Sequence, residues 1–158
     1  MDDVLPQLLE AWHTNNRINL LLVDNIDEEG MKCTLSKRGG RNVVRQFAHL
    51  HNVRVWHLEN RARDLSKGLV TFATHDEPEK GPLKEALAAS AEAVAAFFTR
   101  CVTGEGKARP MKKGVIPLLA YFVAHEAHHR GNILLTLKQC GHKLDQDVAY
   151  TIWDWDKI

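Results

Sequence analysis

The stretch "VIPLLAYFVAHEAHHRGNILLTLKQC", residues 115–140, decides the fold. Its one proline, Pro117, lies near the start, where a helix tolerates proline. Gly141 follows the end, where a left-handed helix cap belongs. Apolar residues recur along it at helical spacing, which predicts one long helix with a stripe that must be buried.

The same reasoning predicts three more long helices, over residues 4–25, 42–63 and 83–102. Asp2 or Asp3 can cap the first of them, and Asn42 can cap the second. Segments rich in glycine, proline and polar residues connect the helices. The tail, residues 147–158, predicts an extended or irregular chain whose tryptophans pack on the bundle.

Four helices with apolar stripes predict an all-α fold, because each stripe must pack against another helix. We expect one domain over residues 1–158, built as an antiparallel four-helix bundle. The connection over residues 64–82 is long for a tight bundle, which favours an up-down-down-up order with long crossover connections. Trp12, Trp56, Phe97 and Phe98 are expected in the core.

Composition and charge exclude several classes of protein. The content of 44% hydrophobic and 26% charged residues is typical of a globular chain. Lys and Arg number 21 against 20 Asp and Glu, so no basic excess indicates binding to nucleic acid or an anionic membrane. The N-terminus lacks a basic n-region and no run approaches ~18 apolar residues, so we expect neither a signal peptide nor a membrane span.

Cysteine usage indicates a cytoplasmic protein. Cys33, Cys101 and Cys140 are odd in number and show no C-x-x-C spacing, so a disulfide framework is not expected. We expect all three to be reduced thiols that pack as small buried side chains.

Histidine distribution is the unusual feature. His125 and His129 are four residues apart, which puts them on one helix face about 40° from each other. Two imidazoles at this spacing can bind one metal ion. In the second helix, His49 shares the phase of Val53 and Trp56, so we choose it as the third ligand.

Other histidines leave alternatives open. His51 lies about 160° from His49, so the two cannot point to the same place. His57, about 80° round from His49, remains a candidate neighbour, and His128 is less well aimed than His125 and His129. The structural alternative for all of them is a hydrogen-bonded core histidine.

Residues 125–129 also match the H-E-x-x-H motif of zinc proteases. These proteases need a third ligand downstream, but Asn132 and Leu135 occupy the relevant positions and no glutamate follows Glu126. There is also no clear strand to align a peptide substrate. We therefore reject proteolysis.

With these residues in place, the chain resembles the DinB/YfiT-like family of damage-inducible helical proteins, which is unrelated to the DNA polymerase of that name. The resemblance rests on "FAHLHNVRVWHL", residues 47–58, and "HEAHHRGNIL", residues 125–134. Asn132 is a mild departure, since glutamine is common there. The family implies a divalent metal held by three histidines, mapped here onto His49, His125 and His129, and it implies dimers in many members. Members with assigned activity are thiol-dependent transferases or isomerases using bacillithiol, mycothiol or glutathione-like cosubstrates.

Three neutral imidazoles leave coordination positions open, and a metal ion held this way can activate a bound water or thiol. We expect Zn or Ni, with Fe, Mn or Cu as alternatives. Tyr121 is a candidate proton donor, Glu126 a marginal general base, and Arg130 a structural or substrate-binding residue.

Two functions remain open from the sequence. The first is a metal-dependent transferase that joins a small thiol to small electrophiles, without nucleic-acid or membrane partners, and forms a homodimer. The second is a non-catalytic metal-binding protein of the stress response. An open coordination position facing a cavity would favour the first, and a closed site the second.

Overall fold

The protein is described by a computed structural model over residues 4–158. Its helices are α1 (Val4–Asn25), α2 (Glu28–Lys32), α3 (Val43–Arg61), α4 (Lys80–Thr103), α5 (Val115–Gln139) and α6 (Gln146–Thr151), with a short 3-10 turn at Arg63–Ser66. Within these described residues there is no strand beyond an isolated bridge between Met111 and Gly114. The predicted all-helical fold is confirmed. The predicted cap at Asp2 or Asp3 lies outside the described residues.

The predicted capping residues lie at the ends of two long helices. The Asn42 side chain accepts a hydrogen bond from the Arg45 N–H at 3.1 Å, which caps the start of α3. Gly141, directly after α5, has φ of +83°, a left-handed conformation that favours glycine. Both predicted caps are confirmed.

Side-chain contacts establish how the long helices neighbour one another. Helix α1 packs against α4 and α5, and α3 packs against the same two helices. Along α1, Asp24 contacts Lys84 and His13 contacts Glu92, so α1 and α4 run in opposite chain directions. Helices α3 and α5 also run oppositely, since His49 contacts His129 and His57 contacts Tyr121.

The core consists of two apolar clusters stacked along the helices. One contains Leu22, Phe47 and Ile133, and the other contains Trp12, Phe98 and Phe122. Helix α4 is long and apolar enough to cross a membrane by length and composition alone. Its Leu87, Val94 and Phe98 are fully buried in the clusters, as in a core helix, so this composition carries little weight.

Several sequence-based expectations about burial are wrong. The tail is not irregular throughout, because it contains α6, and Trp153 and Trp155 are 77% and 45% exposed instead of packed. Trp56 is 56% exposed instead of lying in the core. The three cysteines are free but only partly buried. Trp12, Phe97 and Phe98 are buried as expected.

Candidate metal centre

Three histidines from two helices meet at one point on the side of the molecule. His49 projects from α3, while His125 and His129 project from successive turns of α5. Their ring centroids are 4.8 to 5.4 Å apart, and one candidate ligand nitrogen from each ring lies within 4.8 Å of the others. The structure thus brings together the three residues that the sequence analysis selected.

The ionisation of these rings suits metal binding. Burial, with a smaller contribution from neighbouring positive groups such as Arg41, lowers the pKa of His49 and of His129 to about 4. Burial also lowers the pKa of His125, against a smaller opposing effect of the Glu126 charge. All three imidazoles are therefore neutral at pH 7, which is the form that binds metal.

Hydrogen bonding leaves ligand nitrogens available. His129 Nδ1 lies 3.4 Å from Gln46 Oε1, and a proton on Nδ1 that is donated to this oxygen leaves Nε2 with its lone pair. His125 Nδ1 is buried and has no hydrogen-bond partner among the described residues. An unpaired buried nitrogen is costly, and a metal ion bound at this nitrogen would satisfy it.

These residues fit a divalent ion. Imidazole nitrogens bind Zn²⁺ and similar ions at ~2.0–2.1 Å, so two nitrogens of a tetrahedral ligand set are about 3.4 Å apart. The observed separations of up to 4.8 Å therefore need a contraction of up to about 1.4 Å, which rotations of these partly exposed rings provide. Among the described residues, no fourth histidine, cysteine or carboxylate joins this group.

A buried ion pair lies next to the histidines, further inside the bundle. Glu126 is 1% exposed and accepts hydrogen bonds from Arg54 Nε at 2.7 Å and Arg54 Nη2 at 2.9 Å. Asn15 and Asn19 of α1 donate to the same carboxylate at 2.6 and 2.7 Å. Burial raises the pKa of Glu126, but the Arg54 charge and these hydrogen bonds outweigh it and hold the pKa below its usual value. The carboxylate is thus ionised, and its bonds point into the bundle.

Arg54 also connects this network to α1 and α4. Its Nη1 donates to Asn16 Oδ1 and to the Leu87 carbonyl, both at 2.9 Å, and its guanidinium lies 4.7 Å from the Trp12 ring. Four helices therefore meet at one buried ion pair. Because Glu126 adjoins His125 in the sequence, the network fixes the rotation of α5 and turns the two histidines toward α3.

This placement bears on the predicted roles of Glu126 and Arg130. Glu126 has all its hydrogen bonds with the core network, which favours a positioning role over that of a general base. Arg130 is largely buried and donates to Asn19 Oδ1 at 3.0 Å, so it belongs to the same network. The roles of both residues in any reaction remain predictions.

The remaining histidines lie outside the triad. His51 is fully buried on another face, where its Nε2 donates to the Val70 carbonyl and its ring packs on Phe72. His57 is buried beside Tyr121, with Nδ1 accepting from Arg61 Nε at 3.3 Å. His128 is exposed beside His129.

Tyr121 borders the triad directly. Its ring is nearly parallel to that of His125, with centroids 6.1 Å apart and an interplanar angle of 10°. Tyr121 is 40% exposed.

Two small cavities adjoin the centre on either side of Arg41. One, of about 240 Å³, is lined by His129, Gln46 and Asn132. The other, of about 230 Å³, is lined by His49 and Asn52. Arg41 lines both cavities, so an anionic group entering either one meets its positive charge.

Sequence reasoning missed Arg41 and Arg54. Arg41 lies in the connection before α3, and no periodicity assigns a position to such a residue. Arg54 had a usable signal: it lies about 140° from His49 on α3, on the side of the apolar Leu50 and Leu58. A charged residue on an apolar face predicts a buried partner of opposite charge.

Comparison with known proteins adds one finding. The family model described as "DinB family" matches residues 1–154 of the chain. No curated protein and no solved structure matches the chain.

Proposed function

The chain belongs to the DinB family, and from this premise we propose that it is a divalent-metal enzyme that transfers a low-molecular-weight thiol to small electrophiles. One observation carries the proposal: three neutral imidazoles on two helices place their ligand nitrogens within 4.8 Å of one another. A bound divalent ion with open positions lowers the pKa of a thiol and so supplies a nucleophile near neutral pH.

The residues around the centre support this chemistry. Arg41 lines both adjoining cavities, where its charge attracts the anionic form of a thiol or a carboxylate on it. The Tyr121 ring stacks beside that of His125, which supports Tyr121 as the proton donor to a leaving group. The Arg54–Glu126 pair holds the histidines in position and takes no part in proton transfer.

The proposed reaction is a substitution at the electrophile. The thiol releases its proton to solvent, and a sulfur lone pair forms the new sulfur–carbon bond. The leaving group departs with the electron pair of the bond that breaks and takes a proton from Tyr121 or from water, and a deprotonated Tyr121 regains its proton from solvent. Atoms and charge balance without an oxidant or reductant.

A non-catalytic metal-binding protein is the second candidate, and cavity size favours it. The cavities beside the triad measure about 240 and 230 Å³, whereas small-molecule sites occupy about 300–1,000 Å³. A thiol and an electrophile fit together only if both cavities are used at once.

We also infer the finer architecture predicted from the sequence. The contacts of α1, α3, α4 and α5 support a four-helix bundle in up-down-down-up order, with a long crossover between α3 and α4. A homodimer and a cytoplasmic location are further parts of the proposal, resting on the sequence reasoning alone.

Cobalt substitution followed by addition of a small thiol tests the proposal. We expect a thiolate charge-transfer band that strengthens as pH rises toward the free thiol pKa of about 8.5, together with metal- and thiol-dependent turnover of an electrophile. His51→Ala is the control, because His51 is a buried histidine outside the triad. Metal binding without a band or turnover for any thiol supports the non-catalytic candidate instead.

A further inference from the structure

A third and larger cavity, of about 970 Å³, lies at the end of the molecule where α3 and α4 finish. Its walls are the last turn of α3, the 3-10 turn that follows, the end of α4 and the loop after α4. None of the triad histidines lines it. Its volume is at the upper end of the range for small-molecule sites.

Positive charge dominates this groove. Six of its lining residues are cations: Arg61, Arg63, Lys67, Arg100, Lys107 and Arg109. The acidic lining residues are Glu59 and Asp64, and Asp64 is already paired with Arg100 at 2.7 Å. Within residues 4–158, five of the six cations have no carboxylate within 4 Å, namely Arg61, Arg63, Lys67, Lys107 and Arg109.

Backbone and side-chain bonds hold the groove open in this shape. The Arg109 N–H donates to the Arg61 carbonyl at 3.0 Å, and Arg61 Nη1 donates to the Arg109 and Pro110 carbonyls at 3.2 Å. Gly106, with φ of +71°, lets the loop lie against the Arg100 side chain. The loop is thereby tied to α3 and α4, so the cations converge before any ligand binds.

Helix chemistry explains only part of this charge. Arg61 and Arg100 lie in the last turns of α3 and α4, where a cation interacts favourably with the helix dipole. Lys67, Lys107 and Arg109 lie outside both helices, so the dipole does not account for them. Like charges that converge without partners cost free energy, which a bound anion would recover.

We propose that this groove binds a small polyanion that carries two or more phosphate or carboxylate groups. Guanidinium groups bind both kinds of oxyanion through paired hydrogen bonds, and ammonium groups add charge. The volume fits one small molecule. A nucleic acid is disfavoured, since the chain as a whole carries a net charge of only +1 and the basic surface is confined to one groove.

Calorimetric titration of the metal-loaded protein tests the site, with fructose 1,6-bisphosphate as the phosphate probe and tricarballylate as the carboxylate probe. The groove variant is Lys107→Gln/Arg109→Gln, which alters exposed side chains without changing the core. The control is Lys37→Gln/Lys143→Gln, which removes the same charge at exposed positions away from the groove. His129→Ala tests whether the anion binds at the metal centre instead.

We expect at least one probe to bind, and the stronger probe identifies the oxyanion class. The groove variant should weaken binding by tenfold or more, while the control and His129→Ala variants stay within about twofold of the unmodified protein. Equal weakening in the groove and control variants would overturn the proposal, because it would show non-specific attraction. So would loss of binding in His129→Ala, or no binding of either probe at ~10 mM.

Discussion

The buried pair of Arg54 and Glu126 gives the sharpest test of how the fold positions the histidines. We consider Glu126→Gln, which keeps the volume of the side chain and removes its charge. The guanidinium of Arg54, 0% exposed, then loses its counterion. The new amide NH2 group faces donors in either orientation: Arg54 Nε at the Oε1 position, or Arg54 Nη2, Asn15 and Asn19 at the Oε2 position.

The magnitude follows from burial. Removing one partner of a buried, hydrogen-bonded ion pair costs about 3–5 kcal/mol, because an uncompensated charge stays in the interior. The total stability of a domain is about 5–15 kcal/mol. At about 2–4 °C per kcal/mol for a chain of this size, we expect the melting temperature to fall by roughly 10 °C.

Chemical denaturation measures the loss of unfolding free energy, and calorimetry measures the fall in melting temperature. Asp24→Asn is the matched control, because it makes the same acid-to-amide change in the exposed pair with Lys84. That pair should contribute no more than about 1 kcal/mol. If Glu126→Gln costs no more than Asp24→Asn, the ion pair does not hold the four helices together and our account of α5 is wrong.

Three further predictions concern pH and assembly. The pKa of Glu126 is held low in the folded state, so its contribution to the free energy of unfolding is complete above the unfolded pKa of about 4.3 and is lost as pH falls. Urea titrations at several pH values below about 5 should show that the free energy of unfolding depends less steeply on pH in Glu126→Gln than in the unmodified protein. Burial lowers the pKa of His57 to about 4, so metal-free protein should lose stability as pH falls from about 6.5 toward 4, and His57→Phe should reduce that loss; an unchanged slope would mean that the ring is not buried in the neutral form. Light scattering at tens of micromolar should give the mass of a homodimer, and a monomer mass would refute the predicted pairing.

The triad could be predicted from the sequence because its geometry is local. His125 and His129 are one turn apart on the same helix, and this relation holds wherever the helix lies. His49 was harder, since it required the phase of a second helix, but α3 is long and regular. Periodicity therefore places His125 and His129 together, whereas the choice of His49 also rests on the family resemblance, because the stripe that it shares on α3 is not the buried face.

Trp56 shows where the same reasoning fails. It shares the phase of His49, which we took as the core face, yet it is 56% exposed. The triad lies at the edge between α3 and α5, where its rings are half-buried, and the buried face of α3 is centred on Phe47, Leu50 and Leu58 instead. Periodicity alone does not distinguish a stripe at the edge of a helix interface from a stripe in the core.

The buried network and α6 could not be derived in this way. Glu126 contacts residues from helices distant in the sequence, Asn15 and Arg54, and such pairings depend on which helices become neighbours. Helix α6 spans only Gln146–Thr151, which is too short for a helical period to stand out from chance.

The central claim is that His49, His125 and His129 bind one divalent metal ion, and elemental analysis of untagged protein tests it most directly. We predict about one ion per chain in the unmodified protein and in His51→Ala, and little metal in His49→Ala or His129→Ala, with all variants folded by circular dichroism. Equal metal content in the unmodified protein and His129→Ala would contradict the account.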